Sequence, residues 1–410
     1  MESNSNFYKY KVFINMLIPN EPAIPFDNIN IGDLQIERDY DGLFFPIFSV
    51  TLFFETELYY RFIKNKSTVK FDVRIERYLT DKDNKTSSDR KIITDAVYTT
   101  FITDNDPDIN KDLYKLADDS SLGNQTPHKG KYVELFLFKE WDIYASRRML
   151  NAVIEKGNMT DVLVFLLSKS MCRNIVMGKI ENTDVYNEIL LLPTTTIQNI
   201  LYLEKQYGFF KNGSILFFDI DVTYLIPKSV TNNVYKSGEY EVTVLNCYRS
   251  IQSESIMSGS YDDPVKKIHT IYINPNNISF ESSALVDEQV VGSDVVMVDS
   301  STNQLSTISP NIQDKNYDNN KVIVNAFSNK FLSSMIENKK VEDSHKISAV
   351  IYDFDMSAIT PNKQFMMRFN DNAIQQSHGG KYRLSSSRIL LAKQGEDYMI
   401  SGQILLKKPL

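Results

Sequence analysis

The sequence predicts a mainly β protein with α+β elements, and three observations lead to this fold class. Phe and Tyr number 24 and 23 among 410 residues, while Gly numbers 15, and aromatic residues favour strands. Apolar and polar residues alternate in several segments, which is typical of strands with one wet face. Residues 218–227 and 352–361 both read aromatic, Asp, apolar, Asp, apolar, Ser or Thr, any, Leu or Ile, any, Pro. This repeated pattern predicts two similar β units.

The N-terminal third, residues 1–144, is predicted to consist mainly of strands. Apolar and charged residues alternate most strictly at 69–76, as expected of a half-buried strand. Other alternating segments lie at 8–14, 44–54, 96–102 and 132–138. Residues 55–64 carry four apolar side chains at helical spacing, which predicts a short helix that covers a barrel end. A polar loop is expected at 81–90.

Residues 145–273 are predicted to hold a helical segment and further strands. An apolar stripe predicts a helix at 145–155, with Gly157 as its stop. Thr160 is a suitable N-cap for a second, buried helix at 161–170, because Ser, Thr, Asp and Asn side chains accept hydrogen bonds from the first turn.

A third helix is predicted to begin after Thr194 or Thr195 and to end at Gly208, because glycine commonly ends a helix. The pair Asn212 and Gly213 then indicates a turn, and residues 214–222 indicate a strand.

The last two segments differ in composition. Residues 274–346 are rich in Ser, Asn and Asp and are interpreted as an inserted or connecting region, with strands at 289–298 and 321–326 and a short helix at 329–338. Residues 347–410 return to dense alternation, which predicts the C-terminal strands of the second β unit.

The two Asp pairs are the strongest candidate for chemistry. In a strand, residues i and i+2 share a face, so Asp219 with Asp221, and Asp353 with Asp355, would each point one way. Paired carboxylates can perform acid–base work or glycoside cleavage. An enzyme with one active site rarely builds its dyad twice, so the repeat favours architecture over catalysis.

Other candidate sites fail on their spacing. The run at 104–108 resembles the start of an EF-hand loop, but Ile109 and Lys115 replace its Gly and Glu. The four histidines lie in polar, turn-like contexts without a second ligand at metal-binding spacing; they are His128, His269, His345 and His378. Cys172 and Cys247 are the only cysteines, so no disulfide framework is expected, and the apolar surroundings of Cys172 suggest a structural thiol.

Basic and aromatic residues also mix near the first predicted helix; they are Tyr59, Tyr60, Arg61, Lys64 and Lys66. Such a mixture can stack single-stranded nucleic acid, but interleaved acids favour an ordinary surface. The sequence therefore predicts no catalytic, cofactor-binding or metal-ligating residue, and no cofactor.

The formal net charge of −7 has the wrong sign for a dedicated duplex binder, because such proteins gain affinity when Lys and Arg release counterions from phosphates. The same charge is compatible with a protein along which nucleic acid passes without being bound.

The first six residues lack the pattern of a signal peptide, and the longest apolar runs are too short for a membrane span. The sequence predicts a soluble protein made in a cytoplasm, with no membrane partner.

Several segments together resemble the tail hub proteins of bacteriophages, the group that includes the T4 baseplate hub and the N-terminal part of type VI secretion spike proteins. The resemblance is densest in LLPTTTIQNILYL at 191–203, YGFF at 207–210, FFDID at 217–221 and YLI at 224–226. Further matching segments are NMTDVL at 158–163, TPNKQF at 360–365 and YMISGQILL at 398–406.

The resemblance implies two β-barrel hub domains plus helical and inserted segments. The N-terminal barrel would be residues 1–144, and residues 347–410 would complete the second barrel. It also implies a non-enzymatic virion protein: a homotrimeric ring that adapts a sixfold tail tube to a threefold spike and encloses the DNA channel. Its partners would be the tail tube, the spike or central tip protein, baseplate wedge or distal tail proteins and the tape measure protein.

Two alternatives remain open at this point. One is a tail-associated cell-wall hydrolase that uses one of the Asp pairs. The other is a baseplate or receptor-binding protein that is not a hub, since the β-rich composition fits that class equally well.

Overall fold

The structure is a computed structural model that describes most of the 410 residues. The described residues are 7–80, 86–101, 130–172, 174–229, 239–247, 259–282, 295–299, 304–307, 321–325, 329, 331, 332, 334, 335, 338, 342 and 345–408. No helix in these ranges is long and apolar enough to cross a membrane.

Strands dominate the described chain. They are β1 Phe7–Leu17, β2 Ile24–Pro25, β3 Ile31–Asp39, β4 Ile47–Glu55, β5 Lys70–Thr80, β6 Thr86–Phe101, β7 Gly130–Phe138, β8 Met149–Asn158, β9 Ile175–Met177, β10 Val185–Thr195, β11 Ser214–Phe218, β12 Thr223–Pro227, β13 Val242–Cys247, β14 Gly259–Asp263, β15 Ile268–Ile273, β16 Ile278–Ser282, β17 Val295–Asp299, β18 Gln304–Thr307, β19 Lys321–Asn325, β20 His345–Tyr352, β21 Gln364–Phe369, β22 Gly380–Gln394 and β23 Asp397–Lys407. The α-helices are α1 Thr56–Lys64, α2 Glu140–Arg147, α3 Met159–Lys169, α4 Thr196–Tyr207 and α5 Asn372–His378.

Eight antiparallel strands close into a barrel. Their order is β22, β3, β4, β7, β6, β5, β1 and β23, and pairing between β22 and β23 closes the ring. Alternate residues of each strand face inward, as the two-residue period of a strand requires. On β1 these are Tyr8, Tyr10, Val12, Ile14 and Met16, all at most 4% exposed.

The two C-terminal strands also belong to a second sheet. That sheet runs β14, β15, β13, β21, β22, β23, β20 and β16, with β13 parallel to both of its neighbours. A register shift between Leu384 and Ser386 lies where β22 turns from one sheet to the other, since bulges bend strands. The predicted mainly β fold class with α+β elements is confirmed. One closed barrel is present and shares β22 and β23 with the second sheet, and closure of that sheet into a second barrel stays a prediction. The division at residues 144, 273 and 346 stays a prediction.

Helix α1 covers one end of the closed barrel, as predicted. Tyr59 and Phe62 are its buried side chains. The Phe62 ring stacks on Phe54 of β4 at 4.9 Å and meets Phe71 of β5 edge-on at 6.0 Å. Aromatic pairs in these geometries stabilise a core beyond their buried area.

The other N-terminal predictions are largely confirmed. The alternating segments at 8–14, 44–54, 69–76, 96–102 and 132–138 correspond to β1, β4, β5, β6 and β7. The loop predicted at 81–90 is wrong at 86–90, which begins β6 and pairs with β5, for example Arg90 with Tyr78. Residues 81–85 and Ile102 lie outside the described residues.

Residues 139–229 form a smaller unit with its own core. The ribbon β8–β10 and the sheet β9–β12–β11 pack around α2, α3 and α4. The helix predicted at 145–155 is wrong, because α2 ends at Arg147 and β8 begins at Met149. Val153 is exposed while Ile154 packs inward, so the apolar stripe is a period-two pattern, and Leu190 of β10 pairs with Val153.

The later helices follow their predicted signals closely. Helix α3 begins at Met159, and its cap is Asn158 instead of Thr160, since the Asn158 side chain accepts from the Asp161 N–H. Helix α4 begins after Thr195, whose hydroxyl accepts from the Gln198 N–H, and it ends at Gly208 with φ of 71°. Both predictions for α4 are confirmed.

The inserted region holds a small sheet and a helical segment. In that sheet β17 pairs with β18 antiparallel and with β19 parallel. Of the strand predicted at 289–298, residues 295–298 lie in β17, and residues 283–294 lie outside the described residues. Residues 332, 334, 335, 338 and 342 are helical. Glu342 anchors this helix to the barrel junction through Arg383 of β22, whose Nε donates to it at 2.5 Å.

Candidate functional site at one end of the barrel

The first Asp pair lies in a turn. Strand β11 ends at Phe218 and β12 begins at Thr223, and the Asp219 N–H donates to the Val222 carbonyl at 2.9 Å. The Asp219 carboxylate also accepts from the N–H of Ile220 at 2.8 Å. Because Asp side chains that bond nearby backbone compete with the strand ladder, the predicted strand at 214–222 stops early. The prediction that this pair shares a strand face is wrong.

Asp219 is held by a buried arginine of the barrel. Arg38 of β3 donates from Nε to both carboxylate oxygens, at 2.8 and 3.0 Å. Both side chains are 6% exposed. Burial alone would lower the pKa of Arg38, but the Asp219 carboxylate raises it above its ordinary value, so the guanidinium stays charged.

Asp221 points to the surface and has a different cation. Lys139 donates to it from Nζ at 2.8 Å, and the Asp221 side chain is 42% exposed. The same ammonium lies 5.0 Å from the ring of Trp141 and 5.4 Å from the ring of Tyr98. The pair is therefore a surface ion pair supported by cation–π contacts.

The second Asp pair also lies in a turn, directly after β20. Asp353 has φ of 51°, a left-handed conformation that Asp tolerates better than most residues. Asp355 caps the 3-10 helix Met356–Ala358 by accepting from the Ser357 N–H at 2.9 Å. This pair too is not on one strand face, because the chain leaves β20 at Tyr352.

Asp355 forms another buried ion pair of the barrel. It accepts from Arg77 Nη1 of β5, and the two side chains are 0% and 2% exposed. The Tyr240 hydroxyl donates to the same carboxylate at 3.1 Å. Burial alone would lower the pKa of Arg77, but the Asp355 charge raises it above its ordinary value.

A polar network continues from Asp355 into the second sheet. Its backbone N–H donates to His269 Nε2 at 3.3 Å, and His269 Nδ1 lies 2.6 Å from an oxygen of Asp262. The Tyr8 hydroxyl of β1 donates to the other oxygen of Asp262. Burial alone would raise the pKa of Asp262, but the hydrogen bonds from His269 and from the Tyr8 hydroxyl hold it below its ordinary value. His269 is buried in β15, so the prediction of a turn-like context is wrong for it.

Both turns cover the same end of the barrel, and α1 covers the other end. A cavity of about 290 Å³ lies between them, lined by Arg38, by residues 219–222 of the first turn and by Ser357 and Lys363 of the second. Burial lowers the pKa of Lys363 to about 8. Asp219 and Asp221 at this cavity are held in ion pairs with Arg38 and Lys139, which suits a rigid closure of the barrel end better than proton transfer.

The remaining predicted residues are dispersed. Cys172 is buried, accepts from the Thr223 hydroxyl at 3.3 Å, and has its pKa raised to about 11 by burial; Cys247 is also buried. His345 opens β20 at the surface. His378 stacks on Phe280 at 4.3 Å. His128 and the acidic run at 104–108 lie outside the described residues.

The basic and aromatic residues of α1 divide between core and surface. Tyr59 packs in the barrel, Tyr60 is 55% exposed, and Arg61 pairs with Glu21. Within the described ranges, no group of three or more His, Cys, Asp or Glu side chains is placed to hold a metal ion.

The arginines that hold the two turns were not predicted from the sequence. Arg38 follows Leu34 and Ile36 on the inward face of β3, and Arg77 follows Ile75 on β5. A charged residue at an inward position of an alternating strand predicts a buried ion pair, because a buried charge needs a partner. The partners lie 181 and 278 residues away, and no local pattern connects them.

The family described as "Bacteriophage PBS1 gene 109 protein" matches residues 5–409. The chain belongs to this family. No curated protein matches it.

Solved structures of other proteins are similar to this chain in fold. A tail protein from Neisseria meningitidis MC58 is 11% identical and matches over 97% of this chain and 96% of its own, with a TM-score of 0.54. The lidless PdpA–VgrG complex is 10% identical over 98% of this chain, with a TM-score of 0.50. This chain spans 65% of the VgrG-complex chain that it matches. The predicted resemblance to the tail hub fold is confirmed.

Proposed function

We propose that this chain is a structural virion protein, the hub at the tail tip or baseplate. Three copies form a ring that adapts a sixfold tail tube to a threefold spike and encloses the DNA channel. The observation that carries the proposal is the shared-strand architecture, in which a closed barrel and a second sheet hold β22 and β23 in common. Each subunit thus brings two rigidly joined β units to a ring.

The number of β units supports the symmetry that we propose. Three subunits with two β units each present six units around one axis, which suits a sixfold tube on one side and a threefold spike on the other. Closed point-group symmetry is the rule for homo-oligomers. The bacteriophage family and the fold shared with a tail protein support a place in the tail.

The proposed partners follow from this place in the particle. They are two further copies of the chain, the tail tube, the spike or central tip protein, the baseplate wedge or distal tail proteins and the tape measure protein. DNA passes without specific binding, in keeping with the net charge of −7, because each fixed cation in the bore would add a phosphate contact. Assembly takes place in the host cytoplasm.

The contacts of the Asp pairs favour this proposal over a cell-wall hydrolase. Asp219 and Asp355 are each held by a buried arginine, and Asp221 by a lysine. A general acid needs a carboxyl with a raised pKa that reaches substrate, whereas these three carboxylates are committed to fixed cations. The pKa of Asp353 is raised by burial, but the other carboxylate of its pair, Asp355, is held by Arg77. We propose that the chain is not an enzyme.

One particle reconstruction tests the proposed function. We expect three copies of the chain at the tail tip, between tube and spike, and a purified assembly with three times the mass of the chain. One or six copies there, or a location at the receptor-binding periphery, would contradict the hub. A zymogram on host cell walls tests the enzyme alternative: we expect no clearing, and clearing that Asp219→Asn with Asp221→Asn abolishes would establish a hydrolase.

A further inference from the structure

The second Asp turn borders a pocket on the side of the second sheet. The pocket has a volume of about 560 Å³ and lies between the end of β15, the 3-10 turn Pro275–Asn277, β20 and β23. Its lining includes polar and aromatic residues together with apolar ones. The residues that matter there are Tyr272, Asn274, Asn276, Asn277, Tyr352 and Asp353.

The backbone of Asp353 is fixed on both sides. Its N–H donates to the Ile400 carbonyl at 3.3 Å, and its carbonyl accepts from the Ser260 hydroxyl at 2.7 Å. The residue is held at φ of 51°, a sparsely populated conformation that persists only where the surroundings enforce it. Strain of this kind clusters at binding sites.

The carboxylate of Asp353 differs from the other three in the repeated turns. Arg38, Lys139 and Arg77 neutralise Asp219, Asp221 and Asp355, respectively. Among the residues that the structure describes, none donates to or ion-pairs with the Asp353 side chain, and burial raises its pKa. Three of the four carboxylates in the two repeated patterns therefore have a cation partner.

We propose that the pocket at Asp353 binds an organic cation, namely a guanidinium or primary ammonium group. The carboxylate supplies the charge, the asparagine amides supply acceptors, and the rings of Tyr272 and Tyr352 supply faces for cation–π contact. A hard divalent metal fits less well, because Ca²⁺ takes six to eight oxygen ligands and Mg²⁺ demands an octahedron. The inference does not depend on the proposed place in a phage tail.

Calorimetric titration of the full chain with two probes tests the proposal. The first is an acetylated and amidated Gly-Arg-Gly peptide, in which the cation is a protein side chain; the second is spermidine, a free polyamine. We expect saturable binding of at least one probe, weakened about tenfold or more by Asp353→Asn because the ion-assisted contact is lost. Tighter binding of the peptide assigns a protein side chain as the natural ligand, and tighter binding of spermidine assigns a soluble polyamine.

Two controls make the result decisive. Asp95→Asn removes the same charge from an exposed position on β6 and should leave binding unchanged. A Gly-citrulline-Gly peptide, which has the shape of the arginine peptide without its charge, should not bind wild-type protein, and this comparison needs no variant to fold. Failure of both probes to bind wild type, equal binding by Asp353→Asn, or equal binding of the citrulline peptide would overturn the proposal.

Discussion

The two Asp turns share a sequence pattern but place their buried charge at different positions. In the first turn the first aspartate, Asp219, enters the barrel and Asp221 stays at the surface. In the second turn the second aspartate, Asp355, enters the barrel and Asp353 faces a pocket. The pattern thus specifies a turn with a proline stop, and it does not specify which carboxylate is buried.

The difference follows from what comes after each turn. The first turn leads directly into β12. At the start of this hairpin turn the Asp219 carboxylate accepts from the N–H of Ile220 and from Nε of Arg38. The second continues into a 3-10 helix, and the cap of that helix must be Asp355. A cap accepts from N–H groups inside the first turn, and Asp355 does so while it also accepts from the buried Arg77.

The largest expected effect is at Asp355. We expect Asp355→Ala to lower the free energy of unfolding by about 3–5 kcal/mol, because it removes the buried counter-charge of the Arg77 guanidinium and leaves it with the more distant and 43% exposed Glu239 carboxylate at 3.9 Å. The change also removes the acceptor of Tyr240 and of the Ser357 N–H. Urea unfolding followed by circular dichroism measures the change. Asp371→Ala is the matched control, since Asp371 only caps the exposed helix α5 and its loss should cost about 1 kcal/mol. Equal costs would mean that the buried pair adds nothing.

The next effect is at Asp219, where a double variant sharpens the comparison. Asp219→Ala should lower the free energy of unfolding by about 3 kcal/mol, near the lower end for a broken buried pair, since fewer groups lose their acceptor than in Asp355→Ala.

The double variant Arg38→Met with Asp219→Leu should restore most of this lost stability, because apolar replacements of buried pairs are often neutral. Arg77→Met with Asp355→Leu should restore less, because the Tyr240 hydroxyl and the Ser357 N–H lose Asp355 as an acceptor. Equal recovery in the two double variants, measured by urea midpoint, would remove the distinction between the turns.

The sequence predicted the parts of the fold whose signals are local. Helix α4 was predictable because Thr195 and Gly208 mark its two ends, and α1 because its apolar residues recur at helical spacing. Strand β8 was mistaken for a helix because adjacent pairs such as Val153 and Ile154 fit either period. The partner strand β10 decides between them, and its pairing is not local information.

The candidate site was predictable only in part. The repeated Asp pattern located both turns, but the strand geometry inferred for it was wrong. Neither the common barrel end nor the pairing of Asp219 with Arg38 and of Asp355 with Arg77 could be inferred, because the paired residues lie 181 and 278 positions apart along the chain. The sharing of β22 and β23 by two sheets is likewise a property of the closed structure.

A smaller effect is expected at Asp221. Asp221→Ala should lower the free energy of unfolding by less than about 1 kcal/mol, since ion pairs with an exposed partner are screened by water and salt. The single tryptophan, Trp141, lies 5.0 Å from the Lys139 ammonium, so its fluorescence reports the freed lysine. In high salt the variant and wild type should unfold alike. A loss as large as that of Asp219→Ala would show that the exposed pair is as important as the buried one.

The smallest effect, and one of opposite sign, is expected at Asp353. Its pKa is raised by burial, so the folded state binds the proton more tightly than the unfolded state does. Stability from this group is therefore present below the ordinary carboxyl pKa of about 4 and is lost as pH rises through the raised folded-state value. Asp353→Asn should unfold like wild type at low pH and be more stable at pH 7, by less than about 1 kcal/mol because solvent reaches the group. Asn also tolerates the left-handed backbone. Parallel thermal unfolding curves from pH 4 to pH 8 measure the difference. If the variant is less stable at pH 7, then a cation within the chain already neutralises Asp353. Both carboxylates of the second turn would then be ion-paired, as they are in the first turn.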